Sequence, residues 1–333
     1  MAFKEIRGQE KVIRILQREV ATSSLHGAYL FVGPGGVGRK LTALTFAKVL
    51  NCKRKGVDSC EECSSCQKIN HLNHPNVRII NGEEESIKID QIRSLKRETG
   101  YRIYEGRKRV WIIEEAGRLS LEASNSLLKI LEEPPPDTLF ILIVQTLKDV
   151  LPTIRSRCQI IRFSPLPVRE IEKILREKFS FNPQNISLIG KLSRGSMEEA
   201  LLLAKGEGVL KKREVILNNL TRDLTIEEIM KTGKEWVSYS SGEWERMLNT
   251  ILFWFRDFLM LKCKKNNSFI NLDKIEELKK EREKYSFKKI KEIIELIEKV
   301  KFCLKSNVTP QLVFEYMWLK LLFFRKDFFR NLS

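Results

Sequence analysis

Nothing in these 333 residues approaches the roughly 20 consecutive apolar positions that a membrane span requires. One of the longer runs, LFILIV at 139–144, has the length of a strand. The segment LVFEYMWLKLLFF at 312–324 is interrupted by Glu315 and Lys320 and reads as a buried amphipathic helix. The opening MAFKEIRGQEKVIRIL carries no apolar signal core. A cytoplasmic protein with no membrane contact is the expectation. Its seven cysteines should then be reduced unless they hold a metal. Internal repeats and long low-complexity stretches are also missing. Acidic residues run short: 43 Asp and Glu face 60 Lys and Arg, a net charge of +17. That balance favours polyanionic partners, nucleic acid first, against the plainer alternative of a lysine-rich surface kept for solubility.

What is present divides into two halves. In the first, apolar residues at helical spacing (Val12, Ile15, Leu16, Val20) precede a short apolar strand, AYLFVG at 28–33. A glycine loop follows, then LTALTFAKVL at 41–50, which reads as helix. A helix begins in SIKIDQIRSLKRE at 86–98. RVWIIEEA at 109–116 is a strand ending in two carboxylates. The helix SLEASNSLLKILEEPPPDT is stopped by Pro134, Pro135 and Pro136, which lack the amide and clash with the preceding turn. LFILIVQ at 139–145 and CQIIRFSPL at 158–166 are further strands. Strands alternating with helices argue a parallel sheet covered on both faces. Beyond Pro167 three short helices are expected in VREIEKILREKF, PQNISLIGKLSRG and SMEEALLLAKG. From about Val209 the chain reads as a helical bundle, with one apolar stripe at Ile290, Ile293, Ile294, Ile297, Val300 and Leu304.

The loop GPGGVGRKL at 33–41 has the glycine spacing of a Walker A phosphate loop, G-x-x-x-x-G-K-[ST], but not its last residues. Gly33 and Gly38 fit, and Gly35 and Gly36 let backbone amides approach a phosphate. Arg39 stands in the lysine position and offers a planar fork, not a point charge. Lys40 stands where a hydroxyl would hold Mg²⁺, and Thr42 comes two residues late. The strand that should end in Asp-Glu ends in Glu114-Glu115, and Glu114 is one methylene longer than the metal ligand it would replace. Efficient hydrolysis at this loop is not expected. Weak nucleotide binding stays open, since backbone amides need no particular side chain.

Cys52, Cys60, Cys63 and Cys66 lie in the pattern C-x7-C-x2-C-x2-C. Four thiolates can converge on one Zn²⁺ and leave no open position, so the expected metal is structural. A CxxC redox motif would leave two cysteines idle. His71 and His74 read as surface or turn residues, and Cys158, Cys263 and Cys303 as small core residues.

These motifs line up with a family. RGQE (7–10), AYLFVGPGGVG (28–38), the cysteine module, HPNV (74–77), IDQIR (89–93) and YEGRKRVWIIEEAGRLS (104–120) come in order. NSLLKILEEPP (125–135), LPTIRSRC (151–158), GSMEEAL (195–201) and NVTPQLVFEYMWLKLL (307–322) follow. The whole chain resembles the AAA+ subunits of bacterial DNA polymerase III clamp loaders. The resemblance implies an α/β AAA+ domain at 1–164 carrying the zinc module at 52–66. A three-helix lid at 165–206 and a helical collar for oligomerisation at 207–333 would follow.

The resemblance also implies roles. The family's gamma/tau ATPase is expected to carry GKT or GKS, Asp-Glu at the strand end, and an arginine in the lid. Here Arg39-Lys40, Glu114-Glu115 and Glu198 stand instead. Three departures at three nucleotide-handling points favour the member that does not hydrolyse ATP but keeps the zinc module and the SRC motif. In SRC, Ser156-Arg157-Cys158, the arginine would act in trans on the ATP of a neighbouring subunit, where a guanidinium offsets charge developing on the transferred phosphoryl group. The implied partners are the gamma/tau and delta subunits in a hetero-pentamer, the sliding clamp and primed DNA. Two readings compete. One is a gamma/tau-like ATPase in which Arg39 or Lys40 serves the phosphates and Glu114 the metal. The other is a free-standing zinc-dependent DNA-binding protein relying on Lys53, Arg54 and Lys55.

Overall fold

A computed structural model describes residues 1–81, 86–99, 106–263, 269–306 and 308–330. Tyr104, Glu105 and Asn307 of the motifs quoted above lie outside them. The chain forms two compact units. The first comprises Met1–Lys178 and Ser193–Leu201, the second Phe179–Leu192 and Leu202–Ser333.

The first unit is built on a five-stranded sheet: β1 (Ala28–Val32), β2 (Val77–Ile80), β3 (Arg109–Ile113), β4 (Thr138–Val144) and β5 (Gln159–Arg162). The order is β2-β3-β4-β1-β5, and every pairing is parallel. The three central strands are buried along their whole length, which is why they read as unbroken apolar runs. Alternate side chains serve opposite faces. Tyr29, Phe31, Val110, Ile112, Ile141 and Ile143 join one core, and Leu30, Trp111, Ile113, Phe140 and Leu142 the other. Each fully buried Leu, Ile or Phe is worth about 1.5–3 kcal/mol. The expected parallel sheet with helices on both faces is therefore observed.

Helices α1 (Glu10–Ala21) and α2 (Arg39–Asn51) supply the first core, with Leu16 and Phe46 buried. Ile13, not Ile15, completes the inner face of α1, and Ile15 is exposed. Helix α3 (Ser64–Asn70) begins inside the cysteine insert and carries Cys66. Helices α4 (Ile89–Thr99) and α5 (Leu121–Glu132) supply the second core through Ile92, Leu95, Leu127 and Ile130. Ser120 caps α5 by accepting from the Ala123 amide at 3.1 Å. Short α6 (Pro152–Arg155) leads into β5, and α7 (Val168–Lys178) ends this stretch. Sequence reading missed β2, an edge strand of four residues with Arg78 exposed.

Helix α8 (Pro183–Leu192) belongs to the second unit, while α9 (Met197–Lys205) begins in the first unit and ends in the second. The rest is all helix: α10 (Glu207–Thr221), α11 (Ile226–Val237), α12 (Ser241–Lys262), α13 (Ile275–Glu281), α14 (Phe287–Leu304) and α15 (Pro310–Arg330). Its core centres on Trp254, Phe255, Phe258, Phe314 and Trp318. The stripe on α14 faces this core, with Ile290, Ile293, Ile297 and Val300 buried and Ile294 and Leu304 partly so. Helix α15 departs from expectation. Phe314, Met317 and Trp318 are buried, but Leu312, Tyr316, Leu319 and Phe323 are exposed.

Candidate functional site

Parallel register brings the carboxyl ends of β1, β3 and β4 to one edge, the usual place for a ligand crevice in an open α/β sheet. There the glycine loop opens a cleft of about 1150 Å³. The Gly33 amide donates to the Val144 carbonyl at 3.2 Å, tying the loop's start to β4. Gly36 and Gly38 take positive φ values of +70° and +94°, a region that disfavours side chains. The Met197 amide donates to the Gly36 carbonyl at 2.8 Å, so the Ser196–Glu198 stretch lies directly on the loop. A Cβ at Gly36 would collide with Ser196 Oγ.

Gly38, Arg39 and Lys40 all line the cleft, together with Glu114, Glu115 and Glu198. Their charges are spent on one another. Arg39 donates through Nη1 to the Val144 carbonyl. Burial lowers its pKa, against the opposing pull of Asp149, Glu115 and Glu198. Lys40 Nζ stands 2.6 Å from Glu114 Oε1, an ion pair whose angle makes no hydrogen bond to that buried oxygen. Arg118 pairs with Glu115 at 2.9 Å, and Glu115 holds a left-handed backbone. An ammonium thus occupies the approach to the Glu114 carboxylate. With Asp149 and Glu198 added, carboxylates outnumber cations around the cleft.

The SRC motif lies at the other edge. Tyr29 pairs with Gln159 and Val32 with Arg162, so Arg157 sits before the amino end of β5 while the glycine loop begins beyond the carboxyl end of β1. At a rise of about 3.3 Å per residue, roughly 15–20 Å of strand separates them, more than one side chain spans. Arg157 Nη1 donates to the Thr153 carbonyl at 3.0 Å and to Ser156 Oγ at 3.3 Å. Its Nη2 donates to Glu132 Oε1 at 2.6 Å. Ser156 itself donates to the Thr153 carbonyl at 3.0 Å. The Arg157 side chain remains 35% exposed, enough to meet a partner.

The four cysteine thiols of 52–66 gather in one cluster, every Sγ within 4.8 Å of the others. Cys60 and Cys66 Sγ are 4.0 Å apart. A tetrahedron of Zn–S bonds near 2.3 Å needs about 3.8 Å between sulfurs, so the donor set could hold a metal ion. The amides of Cys63 and Glu62 lower the Cys60 thiol to about 6, whereas burial pushes the Cys66 thiol up. The cluster is anchored by Glu61, which sequence reading passed over. Its carboxylate accepts from buried Lys48 Nζ at 2.6 Å and from Asn70 Nδ2 at 3.1 Å. Lys48 lies on α2, so the knuckle is pinned to the helix that follows the glycine loop.

Two expectations need correction. His74 is not a surface residue but buried, because its ring bridges the module. Nδ1 accepts from the Asn76 amide at 3.2 Å, which leaves Nε2–H to donate to Ser65 Oγ at 3.0 Å. Cys263 is exposed at the end of α12 and not in a core. Cys158 and Cys303 do pack against cores, and burial lifts the Cys158 thiol to about 12. Glu132 was also missed as Arg157's partner, although LEEPP supplied the signal: a carboxylate on the last turn before a proline stop.

Comparison with known proteins bears on the family and the fold. Residues 8–167 match the family described as DNA polymerase III, delta subunit, and residues 207–322 match its C-terminal family. The chain is 29% identical over 333 residues to DNA polymerase III subunit delta′ of Bacillus subtilis, covering 96% of this chain and 98% of that protein. It is 27% identical over 352 residues to subunit tau of the same organism, spanning 96% of this chain but 61% of tau. Among solved structures, a DNA polymerase III gamma subunit-related protein from Thermotoga maritima shares the fold. That match has a TM-score of 0.52 at 20% identity over 94% of this chain and 99% of the other. The sheet order, glycine loop and helical second unit define an AAA+ protein. More narrowly, the chain belongs to the clamp-loader subunits of DNA polymerase III and is of the delta′ type.

Proposed function

We propose that this chain is a non-hydrolysing clamp-loader subunit that lends Arg157 to the ATP site of a neighbouring gamma/tau subunit. In this reading residues 207–333 join a collar with gamma/tau and delta. The assembly opens a sliding clamp and sets it on primed DNA. The carrying observation is the placement of Arg157 at the sheet edge opposite its own glycine loop. A guanidinium there has no route to a nucleotide held by this chain, yet it is exposed and oriented. The cleft supports the other half of the reading. Lys40 on Glu114 blocks the metal position, and Glu198 over the loop would repel a triphosphate. The cysteine cluster would hold structural Zn²⁺, with Cys52, Cys60, Cys63 and Cys66 as ligands, and take no part in transfer.

Reconstitution with the ATPase subunit tests this. Arg157→Ala should leave assembly intact and slow DNA-stimulated hydrolysis at the interface it serves by about 10³-fold, the lower end of what an arginine finger contributes. An unchanged rate in an intact complex would refute the trans role. Magnesium-dependent turnover by the isolated chain would favour the gamma/tau-like alternative.

A further inference from the structure

We infer that Glu132 is the positioning residue for Arg157: it fixes the guanidinium so that two donors remain free for a phosphoryl group. This rests on the trans-finger reading above. The guanidinium has five N–H donors in a rigid fork. Three are used within the chain, two on Nη1 and one on Nη2. Nε–H and the second Nη2–H have no partner among the described residues. Two donors on adjacent nitrogens are what bidentate recognition of phosphate needs.

The energetics argue against a stability role for the pair. Glu132 ends α5, where a carboxylate opposes the helix dipole. The ion pair, with side chains 35% and 50% exposed, is screened by solvent and returns a contribution of similar, small size. The two nearly cancel. What survives is orientation, because no other described residue holds Nη2. Pro134 and Pro135 end the helix just beyond Glu132 and keep its backbone from shifting by a turn.

Two measurements test the inference. In the full-length chain, the Arg157 Nε–H resonance, assigned by its loss in Arg157→Lys, should show restricted motion. Glu132→Ala should release it. Glu132→Gln, which keeps an acceptor oxygen, should preserve much of the order. In the reconstituted complex, Glu132→Ala should lower kcat at that interface by about 10- to 100-fold through misplacement of the guanidinium, with KM for ATP and assembly unchanged. Glu132→Gln should recover part of the loss. Adding Glu132→Ala to Arg157→Ala should cost nothing more. Equal order of the Arg157 side chain in wild type and Glu132→Ala overturns the inference. So does unchanged or faster turnover in Glu132→Ala while Arg157→Ala still stops it, an outcome that leaves the finger standing. Unchanged turnover in both variants removes the finger itself and the inference with it.

Discussion

At the scale of single residues, buried polar groups in the second unit are the feature the sequence concealed. Asp257 sits within FWFRDFLM on α12, a stretch in which no motif marks it. It is fully buried. Its carboxylate accepts from the Asn271 amide at 2.8 Å, Asn271 Nδ2 at 2.9 Å and the Ile270 amide at 3.1 Å. Asn271 in turn accepts from buried Arg213, which grips Asp273 at 2.7 and 2.8 Å. Removing the acceptor leaves buried donors unpaired. Asp257→Ala should therefore destabilise the second unit by about 3–5 kcal/mol, the range for breaking a buried charged network. Tryptophan fluorescence is a fitting probe, since Trp236, Trp244, Trp254 and Trp318 all lie in or against that core. A transition shifted by less than 1 kcal/mol would contradict the network's weight. The phosphate loop and the cysteines, by contrast, were legible because their chemistry is local and fixed by short spacing. The pairs Lys40–Glu114 and Arg157–Glu132 join residues far apart in the chain, and only folding brings them together.

At the scale of elements, legibility followed burial and end signals. The central strands announced themselves as apolar runs because helices cover both faces. Edge strand β2 did not, since half its side chains meet solvent. Helix α12 starts at a capping box: Ser240 Oγ accepts from the Glu243 amide at 3.4 Å, and the Glu243 carboxylate accepts from the Ser240 amide at 3.0 Å. Lys212, 2.7 Å away, and then the Ser240 amide pull the Glu243 carboxyl down from 4.5 to about 2. The unfolded chain thus takes up this proton first as pH falls. Its contribution is complete above about pH 4.5 and is lost as pH drops toward 2. Thermal midpoints measured across that window should fall more steeply in wild type than in Glu243→Gln; parallel curves would remove Glu243 from the account. The cysteine insert is an element of another kind, short and held by its ends. Chelation should speed tryptic cleavage at Lys53, Arg54 and Lys55, all exposed. An unchanged cleavage rate would argue against a structural metal.

At the scale of the whole molecule, net charge of +17 pointed toward polyanions but located nothing. The more specific surface signal is apolar. On α15, Leu312, Tyr316, Leu319 and Phe323 are 62, 48, 44 and 55% exposed and recur at intervals that keep them on one helix face. On α11, Ile226 and Met230 are 62 and 56% exposed. The two helices pack together: Trp236 meets Phe314 and Trp318 edge-on, and Gly233 lies so close to Glu315 that a Cβ there would approach its Cγ to 2.6 Å. Large apolar side chains left in water along one face mark a surface that a partner covers. If residues 207–333 form the collar, this stripe should carry much of the assembly energy. Burying one leucine contributes about 1.5–3 kcal/mol, and each 1.4 kcal/mol is tenfold in affinity. Leu319→Asp should then weaken association with the ATPase subunits by at least about tenfold. Because Leu319 is half exposed, the thermal transition of the isolated chain should hardly move. Light scattering after size-exclusion chromatography reads the first quantity and calorimetry the second. Full assembly by Leu319→Asp, at concentrations where wild type just saturates, would exclude this face from the collar contact.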